Sequence, residues 1–286
     1  MPKTVKTLLK ISISIILFYL VFTKIDINQI IELLKKSNWV YIALAIFCFI
    51  SSQIVSSFRL NYIFQKNNFH LNQVSNLKLY FIGMFYNFFI PGGIGGDAYK
   101  IYLLNKKLDW NSKATTKCIL VDRLIGLVGI AFLICAFATN IYLEEMLSWV
   151  AFISSIIIVY FLGKFVCYKI IKNTHEFFYN SFLFSLAIQI LQITAILCIV
   201  VAYNLNLSLL NEFSLVFLIS SVLSVVSFAG FGSREYVFLK AAPFLQTTDT
   251  LATSIPLSFN IITAIVSLLG VLFIIQKINL KPSKKN

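Results

Sequence analysis

Between residues 39 and 64 the chain carries one charged side chain, Arg59, and similar apolar runs recur at roughly 7–23, 117–139, 147–168, 181–203 and 252–276. A helix rises about 1.5 Å per residue, so crossing a hydrocarbon core about 30 Å thick takes about 20 such residues. Six runs meet that length, the first only marginally. Composition agrees: 12% of the residues are charged and 59% are hydrophobic, whereas a water-soluble domain is about 25% charged. The alternating segments of about ten residues that mark a membrane β-barrel are not visible. The sequence therefore predicts an all-α polytopic membrane protein, folded as one membrane domain over residues 1–286.

The formal net charge of +13 would suit a nucleic-acid binder, but the lysines cluster in short loops between apolar runs, where orientation in the bilayer accounts for them. No nucleic-acid partner is expected. Cys48, Cys118, Cys135, Cys167 and Cys198 are scattered singly, and His70 and His175 are the two histidines. No pattern for a disulfide framework, a metal site or a cofactor arises. The first run follows Lys3, Lys6 and Lys10 and leads into Thr23, Lys24 and Ile25. Without a small-x-small cleavage pattern it reads as an uncleaved helix rather than a signal peptide.

Two further apolar stretches, 77–105 and 213–243, are broken by glycines. In the first, Leu77–Ile90 leads into Pro91-Gly92-Gly93-Ile94-Gly95-Gly96, and Asp97–Leu104 follows. A 14-residue arm is about 20 Å long, enough to pass mid-depth but not to cross. The arms therefore predict a re-entrant helical hairpin. The second break is Ala229-Gly230-Phe231-Gly232-Ser233. With the N-terminus in the cytoplasm, six spans and two hairpins put both termini inside. Nineteen of the 24 lysines and arginines then lie on the cytoplasmic side, as the positive-inside rule requires. A shift of 137 residues places Gly93 on Gly230, Gly95 on Gly232, Gly96 on Ser233, Tyr99 on Tyr236, and the span around Arg123 on the one around Asn260. Repeat 1 then covers about 39–139 and repeat 2 about 181–276. The single linking helix at about 147–168 makes their orientations opposite. Inverted repeats with broken helices are a transporter architecture.

Irregular backbone in hydrocarbon survives only where protein or a wet cavity surrounds it. Glycines permit close approach and positive φ, Pro91 stops the incoming arm, and the N–H groups opening each second arm favour an anion. Gly-Gly-Ile-Gly-Gly lacks the Gly-Lys-Ser/Thr ending of a nucleotide-binding loop. The expected breaks are Pro91, Gly92, Gly93, Gly95, Gly96, Gly230 and Gly232. Charges within or beside the spans are costly and usually face the interior, pair, or bind something. Arg59, Asp97, Lys100, Asp122, Arg123, Arg234 and Glu235 are accordingly the candidate headgroup-binding residues, with arginine suited to two-pronged phosphate contact. The competing reading for the cations is snorkelling to headgroups.

Phe89 to Lys100, with Pro91-Gly92-Gly93-Ile94-Gly95-Gly96-Asp97 at its centre, and Val121-Asp122-Arg123-Leu124-Ile125-Gly126 resemble the lysylphosphatidylglycerol synthase transmembrane-domain family, also called flippase-like domain proteins. Gly230-Phe231-Gly232-Ser233-Arg234-Glu235 is similar to that family's Gly-Gly-x-Gly-x-Arg-Glu element, with Ala229 where glycine is usual. Arg59 matches an arginine the family places near the end of that span. The resemblance covers most of the chain and implies lipid translocation between leaflets. Its namesakes carry a soluble aminoacyl-transfer domain after the membrane part. This sequence resembles the membrane part only, so synthase activity is not carried over.

The expectation is a flippase-like transporter in the plasma (inner) membrane that moves a phospholipid or lipid-linked headgroup, not an enzyme. It has no ATPase motif, and Asp97, Asp122 and Glu235 are the candidate proton carriers. The partner is a membrane lipid with an anionic or phosphate-bearing headgroup, with a homo-oligomer or a separate lipid-modifying enzyme as further partners. The alternatives are a secondary transporter of a small solute, or an accessory membrane subunit of a lipid-modifying or glycosylation pathway. A membrane-embedded transferase is disfavoured because no Asp-x-Asp pair occurs.

Overall fold

A computed structural model describes residues 35, 37–89, 95–142, 146–224, 232–276, 278 and 280–282. The apolar run at 7–23 lies outside them, as do Pro91, Gly92, Gly93 and Gly230. The described residues form α1 (Trp39–Lys66), α2 (Gln73–Phe89), α3 (Gly95–Leu108), α4 (Ser112–Tyr142), α5 (Met146–Ile170), α6 (Phe178–Ala202), α7 (Leu210–Ser224), α8 (Ser233–Ala241), α9 (Asp249–Ser267) and α10 (Leu269–Ile275). Among them no strand forms. Leu71 and Pro282 make an isolated antiparallel bridge. In a bilayer only helices and closed barrels keep every backbone group satisfied, and this chain uses helices.

Among the described residues six helices are long and apolar enough to cross a membrane: Trp39–Lys66, Ser112–Thr139, Phe152–Ile170, Phe178–Ala202, Leu207–Ser224 and Asp249–Ile275. Five coincide with spans read from the sequence. The sixth is a departure. The arm leading into the second break, short in the sequence reading, is lengthened by a 3-10 turn at Leu207–Leu209, and together they reach 18 residues. Asn206 starts that turn by accepting the Ser208 N–H on its side chain.

The centre of the bundle is the pair α1 and α6. They carry buried small polar residues, Ser52 and Ser56 on one and Ser181 and Ser185 on the other, while Ser57 is turned to Gln73 and Asn76 on α2. Small side chains let backbones approach where lipid tails supply no hydrophobic drive. The hydroxyls of Ser52, Ser56 and Ser185 are satisfied by carbonyls of their own helices, Phe49, Ser52 and Ser181 respectively. The two helices run antiparallel. The Asn38 N–H, at the start of α1, donates to the Ala202 carbonyl that ends α6, and Asn173, just before α6, donates to the Lys66 carbonyl that ends α1.

This pairing fixes where the broken segments attach. Phe64 and Phe69, at the end of α1, lie against Trp110, just ahead of α4, with ring centroids 5.4 and 4.6 Å apart. The chain between them, α2–α3, thus leaves and returns at one end of the bundle. Tyr203, which ends α6, bonds through its hydroxyl to Ser258 Oγ on α9 at 2.5 Å. The α7–α8 segment leaves from this end of α6, which the antiparallel pairing puts opposite the end of α1. Each segment folds back on itself, α2 against α3 and α7 against α8.

Apolar packing holds the rest. Phe259 on α9 meets Phe49 on α1 at 5.3 Å and Phe217 on α7 at 5.1 Å, both edge to face, a geometry that satisfies the ring quadrupoles. By contrast α5 buries almost none of its span. Ile153, Phe161, Leu162 and Phe165 are exposed along it, as expected of a helix that faces lipid.

Candidate functional site

The site residues sit where the broken segments meet the long helices. Gly96, in the first turn of α3, is where α3 crosses α2. A Cβ there would stand 1.8 Å from the Gly83 carbonyl oxygen, a separation that no side chain tolerates, so hydrogen at that position is what allows the two arms to touch. Gly83 in turn makes room for Lys100, whose Cε lies 2.1 Å from where a Gly83 Cβ would be. Lys100 is buried, its ammonium 4.4 Å from the Tyr80 ring centroid and 3.3 Å from Asp97 Oδ1.

The opening turns of α3 and α8 find acceptors within the chain, from α2 in the first case and from α8 itself in the second. Asn87 Oδ1 accepts the Gly96 N–H at 2.8 Å. Glu235 Oε2 accepts the Gly232 N–H at 2.7 Å. Gly232 has φ +79, a left-handed conformation natural to glycine. The sequence reading left these N–H groups open to an anion. In the fold, at Gly96 and Gly232, they are occupied by the chain itself, as helix N-termini generally require.

The three arginines have different surroundings. Arg59 on α1 is buried and faces Asp122 on α4 through two bonds, Nε to Oδ1 at 2.7 Å and Nη2 to Oδ2 at 3.1 Å. Its Nη1 donates to Ser185 Oγ on α6 at 2.6 Å. Both side chains are under a tenth exposed. Arg123, the next residue after Asp122, points elsewhere and forms an ion pair through Nε with Asp97 Oδ2 on α3. Its side chain is 38% exposed. Asp97 thus joins α3 to α4 and holds Lys100 as well.

Arg234 on α8 differs. Nη1 donates to Asn260 Oδ1 on α9 at 2.9 Å, and Nη2 reaches Ser224 Oγ at 3.4 Å. Its Nε is buried with no hydrogen-bond partner among the described residues. The guanidinium lies over two rings, 5.1 Å from the centroid of Phe259 and 6.0 Å from that of Phe217. Among the described residues no carboxylate lies within ion-pair distance of it. The neighbouring Glu235 is committed to Gly232 and, through Oε1, to Asn260 Nδ2 at 2.9 Å.

The two broken segments use the same register. Asp97 pairs with Arg123, and Arg234 pairs with Asn260, 26 residues on; 123 − 97 is the same 26. The residue types are exchanged, so an acid on the first short arm corresponds to an arginine on the second.

Asn87, Asn260, Ser185 and the two phenylalanines flanking Arg234 did not stand out in the sequence as site residues. Asn87 was detectable as a lone amide in an apolar arm four residues before Pro91, and Asn260 as the position that the 137-residue shift lays on Arg123. Among the described residues no group of three or more His, Cys, Asp or Glu gathers as a metal site would require.

Among the described residues, six apolar helices of spanning length, two of them joined by the buried Arg59–Asp122 pair, define a multi-pass membrane protein. The chain belongs to the lysylphosphatidylglycerol synthase TM region family, which it matches over residues 7–270. A UPF0104 membrane protein of Methanocaldococcus jannaschii is 23% identical to it over 334 residues, an alignment covering 99% of each chain.

Proposed function

We propose that this protein moves a phosphate-bearing lipid between the leaflets of the plasma (inner) membrane, with Arg234 receiving the phosphate. The observation that carries the proposal is the set of partners around Arg234: an amide, a hydroxyl and two aromatic rings, with one N–H unbonded. A cation held among helices without a counter-charge is costly. A phosphate oxygen would satisfy the open Nε–H and supply the missing negative charge, and a guanidinium matches phosphate geometry. Arg59 already has that charge from Asp122, and Arg123 from Asp97. Arg59 ties α1 to α4 and α6, Arg123 ties α3 to α4, and the exposed side of Arg123 offers a second station for the lipid.

In this reading the two broken segments are re-entrant hairpins entering from opposite faces, halves of an inverted repeat. Their attachment at opposite ends of the antiparallel α1–α6 pair supports it, as does the shared 26-residue register. The positive-inside distribution of lysines favours cytoplasmic N- and C-termini. The lipid crosses without covalent change, driven by a gradient or by its own downhill flow. The protein is thus a transporter rather than an enzyme, acting as a homo-oligomer or beside a separate lipid-modifying enzyme.

The test is translocation of labelled phospholipids in proteoliposomes, wild type against Arg234→Ala. Wild-type movement that the variant slows about tenfold or more supports the assignment, since hydrogen bonds to charged groups contribute roughly 1.5–3 kcal/mol. Equal rates would remove Arg234 from the pathway. No movement of any phospholipid by the wild-type protein would favour a small-solute transporter or an accessory subunit.

A further inference from the structure

Away from the Arg234 region, the ends of α1, α4 and α5 line an open recess of about 410 Å³. Its charged wall is Lys117 on α4, Lys169 on α5 and Lys172 on the turn that follows α5. Its apolar floor includes Phe69 and Cys118, and none of its lining residues is acidic. Cys118 is fully buried, and Phe69 is braced by Trp110 at 4.6 Å. The recess therefore has a packed base, with three cations brought to its wall by separate elements. No residue of α7, α8 or α9 contributes to it.

Loop lysines that merely orient the chain have no need to converge. Here three like charges share one concavity, and among the described residues none has a carboxylate within ion-pair distance. The surface beside it is the second observation. Lys169 lies 4.7 Å over the Phe165 ring, and Phe165, Leu162 and Phe161 continue an exposed apolar strip down α5. The basic recess thus opens at the head of the helix face that meets lipid. Basic pockets between helix ends on the cytoplasmic side suit anionic headgroups, each lysine contributing attraction that falls off over a Debye length.

We infer that this recess is a binding site for the phosphate headgroup of an anionic phospholipid whose acyl chains lie along α5. It is a resident-lipid site, separate from the route through Arg234 and independent of whether that route carries lipid. A phosphate seated there draws Lys117, Lys169 and Lys172 together and ties α4 to the end of α5.

The full-length protein is purified into nanodiscs of phosphatidylcholine with and without phosphatidylglycerol. The readouts are the phosphatidylglycerol retained in native mass spectrometry and the thermal midpoint. The wild type should retain a bound phosphatidylglycerol and melt several degrees higher in its presence. Each Lys→Gln change at 117, 169 or 172 should weaken retention about fivefold. The triple variant should lose both the retained lipid and the shift. A control triple of equal charge loss, Lys78→Gln, Lys106→Gln and Lys240→Gln, should keep both. The single variant Lys169→Gln serves if the triple fails to fold. Equal retention in wild type and lysine variants would overturn the site. So would an equal rise in midpoint from inorganic phosphate in pure phosphatidylcholine, which would assign the recess to a free anion.

Discussion

Arg234 and Asn260 are joined across the second broken segment by a 2.9 Å hydrogen bond from Nη1 to Oδ1, and the same asparagine donates through Nδ2 to Glu235 at 2.9 Å. One neutral amide thus holds a cation and an anion without neutralising either. Replacing it with a carboxylate should turn an open arginine into a paired one.

Asn260→Asp, combined with Glu235→Gln to avoid two facing carboxylates, should leave the protein folded and slow lipid translocation about tenfold or more, by the strength of a charge-assisted contact. Initial rates in proteoliposomes and the thermal midpoint check it together. A wild-type rate in this double variant would mean that the unpaired charge on Arg234 is not what the lipid uses.

Arg59 and Asp122 carry the opposite prediction. Both are buried and doubly bonded, so Asp122→Ala strands a charge beside α6 and should cost about 3–5 kcal/mol. Arg59→Met with Asp122→Leu should recover much of that loss, because buried pairs replaced by apolar groups are often tolerated. Thermal unfolding in detergent, followed by size-exclusion chromatography, measures both. A double variant no more stable than Asp122→Ala would contradict the electrostatic account.

The α2–α3 crossing separates two glycine substitutions. Gly96→Ala drives a methyl into the Gly83 backbone, which can move only by parting the arms, and should cost about 1–3 kcal/mol as an overpacked site does. Gly83→Ala meets the far end of the flexible Lys100 side chain, which can swing aside, so its cost should be smaller. Midpoints of the two variants in the reverse order would refute the crossing geometry.

Asn87 is the cap for the turn at Gly96. Asn87→Ala should lower stability by about 1 kcal/mol, the usual loss for a helix N-terminal acceptor, and Asn87→Asp should preserve it. Hydrogen exchange at the start of α3 should rise in the first variant and not in the second.

Much of this was legible in the chain itself. Apolar length decides which segments can cross a bilayer, because hydrocarbon admits only backbone that satisfies itself. Two of the glycines expected as breaks, Gly95 and Gly232, stand at the starts of α3 and α8. Five long helices fall where the runs at 39–64, 117–139, 147–168, 181–203 and 252–276 place them. The length of the arm before the second break did not follow, because the turn at Leu207–Leu209 is started by the Asn206 side chain, a local device invisible to hydropathy.

The sequence by itself determined that this is a helical membrane protein and which charges lie within its apolar regions. Only the tertiary structure decided which charges meet. Asp122 and Arg123 are neighbours in the chain but leave α4 about 100° apart, so Asp122 turns to Arg59 on α1 and Arg123 to Asp97 on α3. Arg234 keeps its charge because Glu235 is drawn to Gly232 and Asn260 instead. Partner choice in a membrane is set by which helix faces touch, and that depends on packing between residues tens of positions apart.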